Sequence, residues 1–208
     1  MAKSTLILLV RHGQTTTTGK VLPGRAPGLY LSELGVGQAE AAASRLKNTR
    51  IAAVYASPLE RTQQTAKPIA RATGNRVRTD KGLIELDVGD WTHKRLGDLR
   101  RRKEWQQVQS SPGTFTFPGG ESFRDMAHRM TGTLQRLAAK HPGEAIVTVS
   151  HADNIRAAVS DAMGAHIDHF QRVVVSPCSI TTLLFSDGGP MVFNLNTTSG
   201  DLSELSPT

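Results

Sequence analysis

Along the chain, apolar residues fall either into short unbroken runs or into longer stretches where they recur every three or four positions. Thr5 to Val10, Ile51 to Tyr55 and Ala145 to Val149 are the strongest runs, aliphatic and rich in β-branched residues, and each predicts a buried strand of a parallel sheet. Arg76 to Thr79 predicts a further strand. Helical spacing predicts a helix from Ser32, as N-cap, to Lys47, with Val36, Ala39, Ala43 and Leu46 on one face. A clearer helix carries Phe123, Met126, Ala127, Met130, Leu134, Leu137 and Ala138 and stops at Pro142-Gly143. Ser57, Pro58 and Glu60 match a capping box that opens another helix, kinked or ended at Pro68. Asp153 is expected to cap a helix with Ile155, Ala158, Val159 and Met163, closed by Gly164. Thr92 to Val108 is polar and basic, with a thin apolar stripe of Leu96, Leu99 and Val108 that predicts a helix. Gln14 to Leu31 and Ser111 to Gly120 read as loops. Val173 to Phe185 and Met191 to Leu195 read as a hairpin across Asp187-Gly188-Gly189-Pro190, and the last residues are expected to fray.

Strands alternating with helices predict an α/β fold, a three-layer α/β/α sandwich around a mostly parallel central sheet. At 208 residues, with no internal repeat and no long linker, one domain spanning 1–208 is the default. Hydrophobic content is 38%, yet no apolar run approaches the length of a membrane span, so no membrane partner is expected. Met1-Ala2-Lys3-Ser4 leads straight toward a strand without the apolar region of a signal peptide. The single cysteine, Cys178, has no partner for an internal disulfide and reads as packing, so a cytoplasmic location is expected. A net charge of +7 points to anionic partners, but aromatic content of 5% and dispersed arginines argue against nucleic acid.

The chemistry gathers at the ends of the strong runs. Arg11 and His12 follow the first directly, at the carboxyl end of a strand, where open α/β sheets place their ligand crevices. Gly13 lets the backbone turn away and a ligand come close. Arg61 falls in the first turn of the helix after the second run, beside free backbone N–H groups; a cation there opposes the helix dipole unless an anion is present. His151 ends the third run. Two guanidinium groups and two imidazoles at one sheet edge repel one another, by about 4 kcal/mol for unit charges 4 Å apart at an effective dielectric of 20. A tetrahedral phosphate relieves that repulsion, because arginine forks match its oxygens in pairs. Glu85, among Leu83, Ile84 and Leu86, is either a desolvated proton donor or a solvent-facing residue of an alternating stretch. His166, Asp168 and His169 read as helix surface, and no dense carboxylate cluster is present, so no metal is expected.

Arg11-His12-Gly13-Gln14-Thr15, Ala56-Ser57-Pro58-Leu59-Glu60-Arg61 with Thr65-Ala66, Glu85 with Gly89 and Trp91, Pro118-Gly119-Gly120-Glu121-Ser122, and Ser150-His151 together resemble the histidine phosphatase superfamily, which includes the cofactor-dependent phosphoglycerate mutases. Within it the chain is similar to an actinobacterial subgroup of phosphomutases and phosphatases. The resemblance implies a phosphoglycerate mutase-like fold with a loop and helical insertion around 86–120 near the active site. It implies His12 as the nucleophile that becomes phosphohistidine, Arg11, Arg61 and His151 as holders of the phosphoryl group, and Glu85 as the general acid. Further substrate contacts are implied for Gln14, Thr15, Thr18, Gly24, Glu121 and Ala152. The chain departs from the family in having Thr18 where Asn is common and Thr92-His93 where Glu-Gly usually follows the tryptophan. Ala152 stands where the acid phosphatase branch has its acid, leaving Asp153 to cap a helix. The implied function is a phosphomonoester hydrolase acting on a small phosphorylated metabolite. A phosphoglycerate mutase-type phosphomutase is the alternative, with 2,3-bisphosphoglycerate as cofactor only in that case and none otherwise; Thr16-Thr17-Thr18-Gly19-Lys20 lacks the Trp and Asn of the mutase signature. A non-catalytic module binding phosphorylated ligands or nucleic acid is the second alternative, and a homodimer stays open.

Overall fold

A six-stranded sheet is the middle layer of the computed structural model, which describes residues 3–200. Its strands are β1 (Thr5–Arg11), β2 (Ala53–Ala56), β3 (Val77–Thr79), β4 (Ala145–Ser150), β5 (Ile180–Ser186) and β6 (Gly189–Thr197), in the order β3-β2-β4-β1-β5-β6. The first four are parallel, and β5 and β6 add on antiparallel. Helices α1 (Glu33–Leu46) and α2 (Glu60–Ala72) cover one face. Two short helices, α3 (Leu96–Leu99) and α4 (Lys103–Ser110), lie between β3 and α5 (Phe123–Lys140), which with α6 (Ala152–Ala162) covers the other face.

The unbroken apolar runs arise because both faces of the strands are buried. Leu6, Leu8 and Val10 of β1 turn toward α1 and α2, packing with Val54, Val147, Ala66 and Ile69. Ile7 and Leu9 turn the other way, with Ile146, Leu134, Leu137 and Ile155. Each such side chain contributes about 1.5–3 kcal/mol relative to leaving it exposed. A third cluster lies under the 86–120 segment, where Trp91 stacks on Trp105 at 6.3 Å and meets Phe117 edge-on at 5.3 Å.

This topology places a crevice. The chain leaves β1 for α1 on one face and leaves the adjacent β4 for α6 on the other, with Arg11 opposite Ser150. Outgoing connections that diverge from neighbouring parallel strands open a ligand site at their carboxyl ends.

Local expectations fail where tertiary contacts override them. Ser32 does cap α1, its Oγ accepting from Gly35 N, but Val36 is half exposed while Ala42 is buried with Ala39, Ala43 and Leu46. The helix approaches the loop after β1 backbone to backbone: a Cβ on Gly35 would lie 2.0 Å from the Gln14 carbonyl oxygen, and one on Gly13 would lie 2.5 Å from that of Gly35. Turning Gly35 inward turns Val36 out. α2 begins at Glu60 after Leu59, so Ser57, Pro58 and Glu60 form no capping box; Pro68 sits inside the helix, which runs on to Ala72. His151, not Asp153, is the cap residue of α6, and Met163 is exposed just past its end, where Gly164 closes it at positive φ. The basic stretch forms the two helices α3 and α4 rather than one, with Leu99 and Val108 buried. Residues 173–179 are irregular, and the hairpin proper is β5 and β6. The expected fraying of the last residues lies outside the described residues. Among the described residues no helix is long and apolar enough to cross a membrane.

Candidate active site

Four parallel strands deliver side chains to one edge. Arg11 and His12 come from the end of β1, Ser57 from the end of β2, Glu85 from the loop after β3, and His151 from the end of β4, with Arg61 in the first turn of α2. His12 and His151 face each other edge to face with ring centroids 5.2 Å apart. His12 Nδ1 lies 2.8 Å from the Gly13 carbonyl oxygen. That oxygen can only accept, so Nδ1 carries the proton and Nε2 presents its lone pair. Gly13 N donates to Thr65 Oγ1 at 3.0 Å, tying this loop to α2.

The donors around His12 are buried and only partly used. Arg11 Nη1 donates to the Val175 carbonyl at 2.7 Å, and Arg61 Nη2 to the Gly24 carbonyl at 3.0 Å. Arg11 Nε, Arg61 Nε and Nη1, and His151 Nδ1 are buried without a partner. Unpaired buried donors of this kind cost about 1–3 kcal/mol each, more when charged, so their convergence calls for an anionic ligand with several acceptors.

Electrostatics sharpen the arrangement. Burial first, then the Arg61 and Arg11 charges, pushes His12 down to about 3, so it is a neutral imidazole across the physiological range. His151 is held well below its ordinary value by burial and by Arg61. Burial, aided by the Asp153 carboxylate, pushes Glu85 up to about 7 against the pull of Arg61. Because both partners favour their neutral forms, the 3.4 Å approach of His151 Nδ1 to Glu85 Oε2 is no ordinary ion pair. Cys178 is buried and pushed up to about 12, which keeps it a thiol.

The Glu85 loop is clamped by its own carbonyls. Ser150 Oγ donates to Leu83 O at 2.8 Å, Asn154 Nδ2 and Arg129 Nη1 each to Ile84 O at 2.7 Å, and Arg25 Nε to Glu85 O at 2.7 Å. Glu121, expected among the substrate contacts, also holds this clamp: its carboxylate accepts from Arg25 and Arg129, both at 2.9 Å. Thr15 and Thr18 bond to each other, with Thr15 N donating to Thr18 Oγ1 at 2.9 Å. Gln14 is anchored through its backbone, its N–H donating to Gln38 Oε1 and its carbonyl accepting from Ser32. Gly24 lines the cavity beside Glu85, and Ala152 opens α6, whose first N–H groups have no partner within the helix. Asp153 pairs with Arg156 at 2.9 Å.

Sequence reasoning missed Ser57, Arg25, Arg129 and Asn154. Ser57 is fully buried and its Oγ lies 2.9 Å from His151 Nε2. Its place in an apparent capping pattern masked that contact across 94 positions. Arg129 and Asn154 carry no signal in a single sequence beyond lying on helices that flank the site.

A sequence model of the histidine phosphatase superfamily (branch 1) matches residues 7–198. The chain is 28% identical to phosphoserine phosphatase 1 of Hydrogenobacter thermophilus, over 92% of each chain. It is 30% identical to a probable phosphoglycerate mutase of Yersinia pestis, over 87% of this chain and 85% of the other. Its fold superimposes on a mycobacterial glucosyl-3-phosphoglycerate phosphatase with a TM-score of 0.85 at 25% identity, covering 94% of this chain and 100% of that one. With the matched region running from β1 to the end of the described fold, the chain belongs to the histidine phosphatase superfamily.

Proposed function

We propose that the chain is a phosphomonoester hydrolase that works through a phosphohistidine on His12 and releases inorganic phosphate from a small phosphorylated molecule. The observation that carries this reading is the set of buried, unpartnered donors of Arg11, Arg61 and His151 gathered around a neutral His12 whose Nε2 is free.

Those donors take the phosphate oxygens, with the Gln14–Thr18 loop, the Gly24 region and the start of α6 at Ala152 closing around them. His12 Nε2 attacks phosphorus in line. As the P–O bond to the leaving alcohol breaks, protonated Glu85 gives its proton to the departing oxygen. Arg11, Arg61 and His151 stabilise charge on the equatorial oxygens as it redistributes. Ionised Glu85 then takes a proton from water, the hydroxide equivalent attacks phosphorus, the P–N bond breaks, and neutral His12 returns with phosphate released. We read 1–208 as one domain in which the 86–120 segment walls the site, since a single sheet receives strands from Thr5 through Thr197.

The pH profile follows from these groups. Glu85 must begin protonated, so kcat/KM falls as pH rises through about 7, the value to which burial pushes it. His12, already neutral well below that, adds no limb between pH 5 and 8. A rising limb near pH 6 comes from the second ionisation of the substrate phosphate, at about 6. A bound dianion pushes Glu85 higher still, so the falling limb of kcat sits above that of kcat/KM. Glu85→Gln removes the falling limb and lowers kcat by about 10²–10⁴. A falling limb that persists in that variant contradicts the assignment.

The relatedness to a probable phosphoglycerate mutase defines the competing reading. A panel of phosphomonoesters assayed with and without 2,3-bisphosphoglycerate separates the two. Phosphate release independent of the bisphosphate is expected; stoichiometric isomerisation of 3-phosphoglycerate that requires it identifies a mutase.

A further inference from the structure

Beside Glu85 the crevice widens into a cavity of about 350 Å³ whose walls come from residues 22–24, the 86–120 segment, Phe123, α6 and Gln171. Glu85 is part of its lining, so an alcohol that takes its proton from Glu85 has this cavity beside it. The present inference therefore rests on the phosphatase reading and concerns the chemistry of that alcohol. Leu22, Leu86, Val88, Leu96, Trp105 and Phe117 form an apolar side of the lining, and Glu85, Arg100, Gln109, Asp153, Arg156 and Gln171 supply its polar groups. Trp105 is stacked on Trp91, with 19° between their planes, and Trp91 is braced edge-on by Phe117, so the aromatic wall is rigid.

Three of the polar side chains in the lining are committed to protein partners. Arg156 Nη1 pairs with Asp153 at 2.9 Å and its Nε donates to the Val173 carbonyl, while Gln171 Nε2 donates to the Val108 carbonyl at 3.0 Å. Hydroxyl or ammonium groups pressed against the apolar side would be buried unpaired, which is costly, whereas the face of a ring gains from contact with Trp105 and Leu96.

We propose that the substrate is the phosphomonoester of a bulky ring-bearing alcohol whose apolar face is seated against Trp105 and Leu96. The preference is for the body of the leaving group and is independent of its acidity. It is therefore read with alkyl phosphates of similar leaving-group pKa: 2-(1-naphthyl)ethyl phosphate, ethyl phosphate and glycerol 3-phosphate.

For the intact protein, kcat/KM for the naphthylethyl ester is expected to exceed that of the other two by about fiftyfold, the size appropriate to moving an aromatic ring from water onto an apolar wall. Trp105→Ala is expected to reduce the naphthylethyl-to-ethyl ratio at least about tenfold. Because Trp105 supports Trp91, Leu96→Asn provides a second variant, expected to reduce the same ratio. Equal kcat/KM values for the three esters in the intact protein, or a ratio that survives both variants, overturns the inference while leaving the phosphatase reading in place. Absence of phosphate release from all three and from the wider panel removes both together.

Discussion

His12→Ala is expected to reduce phosphate release to background, a loss of at least about 10⁴-fold, because the variant lacks the atom to which the phosphoryl group is transferred. The structure leaves no substitute. His151, the other imidazole at the site, has Nε2 engaged by Ser57 and its Nδ1 among the unpartnered groups turned to the phosphoryl group. Arg11 and Arg61 are permanent cations with no lone pair to offer. The folded state is expected to survive, since His12 contributes one backbone-directed hydrogen bond and its neighbours are fixed through Thr65, Ser150 and Val175. Steady-state assay alongside far-UV circular dichroism and inorganic-phosphate binding checks this. Retained phosphate binding with lost turnover is the expected pattern. A non-catalytic binding module instead shows no turnover to lose in the parent protein.

Arg61→Ala is the second large effect, expected to lower kcat/KM by about 10²–10³. Arg61 is fully buried, holds the Gly24 loop through Nη2, and directs Nε and Nη1 into the site without protein partners. Its removal therefore deletes two donors to the transferring group and loosens the wall that Gly24 provides. It also removes a charge that depresses His12 and Glu85 alike. Both groups then titrate higher, so His12 is protonated at a higher pH than in the parent protein and the falling limb of the profile moves to higher pH. Arg61→Lys is not expected to rescue the loss, because an ammonium cannot reach Gly24 and present a planar fork to phosphate at once. A variant within a few-fold of the parent protein contradicts the placement of Arg61 on the phosphoryl group.

The sequence carried the site more clearly than the local structure around it, for a physical reason. Arg11, His12 and His151 adjoin apolar runs that could only be buried strands, and parallel strands ending at one edge bring their trailing residues together whatever the loops do. Thus three separate segments could be assembled around one anion before any contact was known. The errors lie where a side chain has a choice of partners. Ser57 fits an N-cap pattern, yet its hydroxyl reaches His151; Asp153 fits one too, yet pairs with Arg156 inside the first turn. Val36 has the right spacing for a buried face, but close contact between the backbones of Gly35 and Gln14 sets the roll of α1. Glu121 belongs to a recognisable motif, but nothing in that motif shows that its carboxylate pairs with Arg25 and Arg129, 96 and 8 positions away. The clamp on Glu85 consists of side chains donating to carbonyl oxygens, and carbonyls are present at every residue, so a single sequence gives no hint of which will be used.

The central claim is that phosphate passes through a covalent bond to His12 Nε2. The direct measurement is to mix the protein with a phosphomonoester, quench in base within milliseconds to seconds, and map the modified peptide by mass spectrometry. A base-stable, acid-labile phosphate on the peptide containing His12, absent in His12→Ala, is the result expected. Phosphate release at the full rate with no label on His12 at any time, or a label on another residue, contradicts the account.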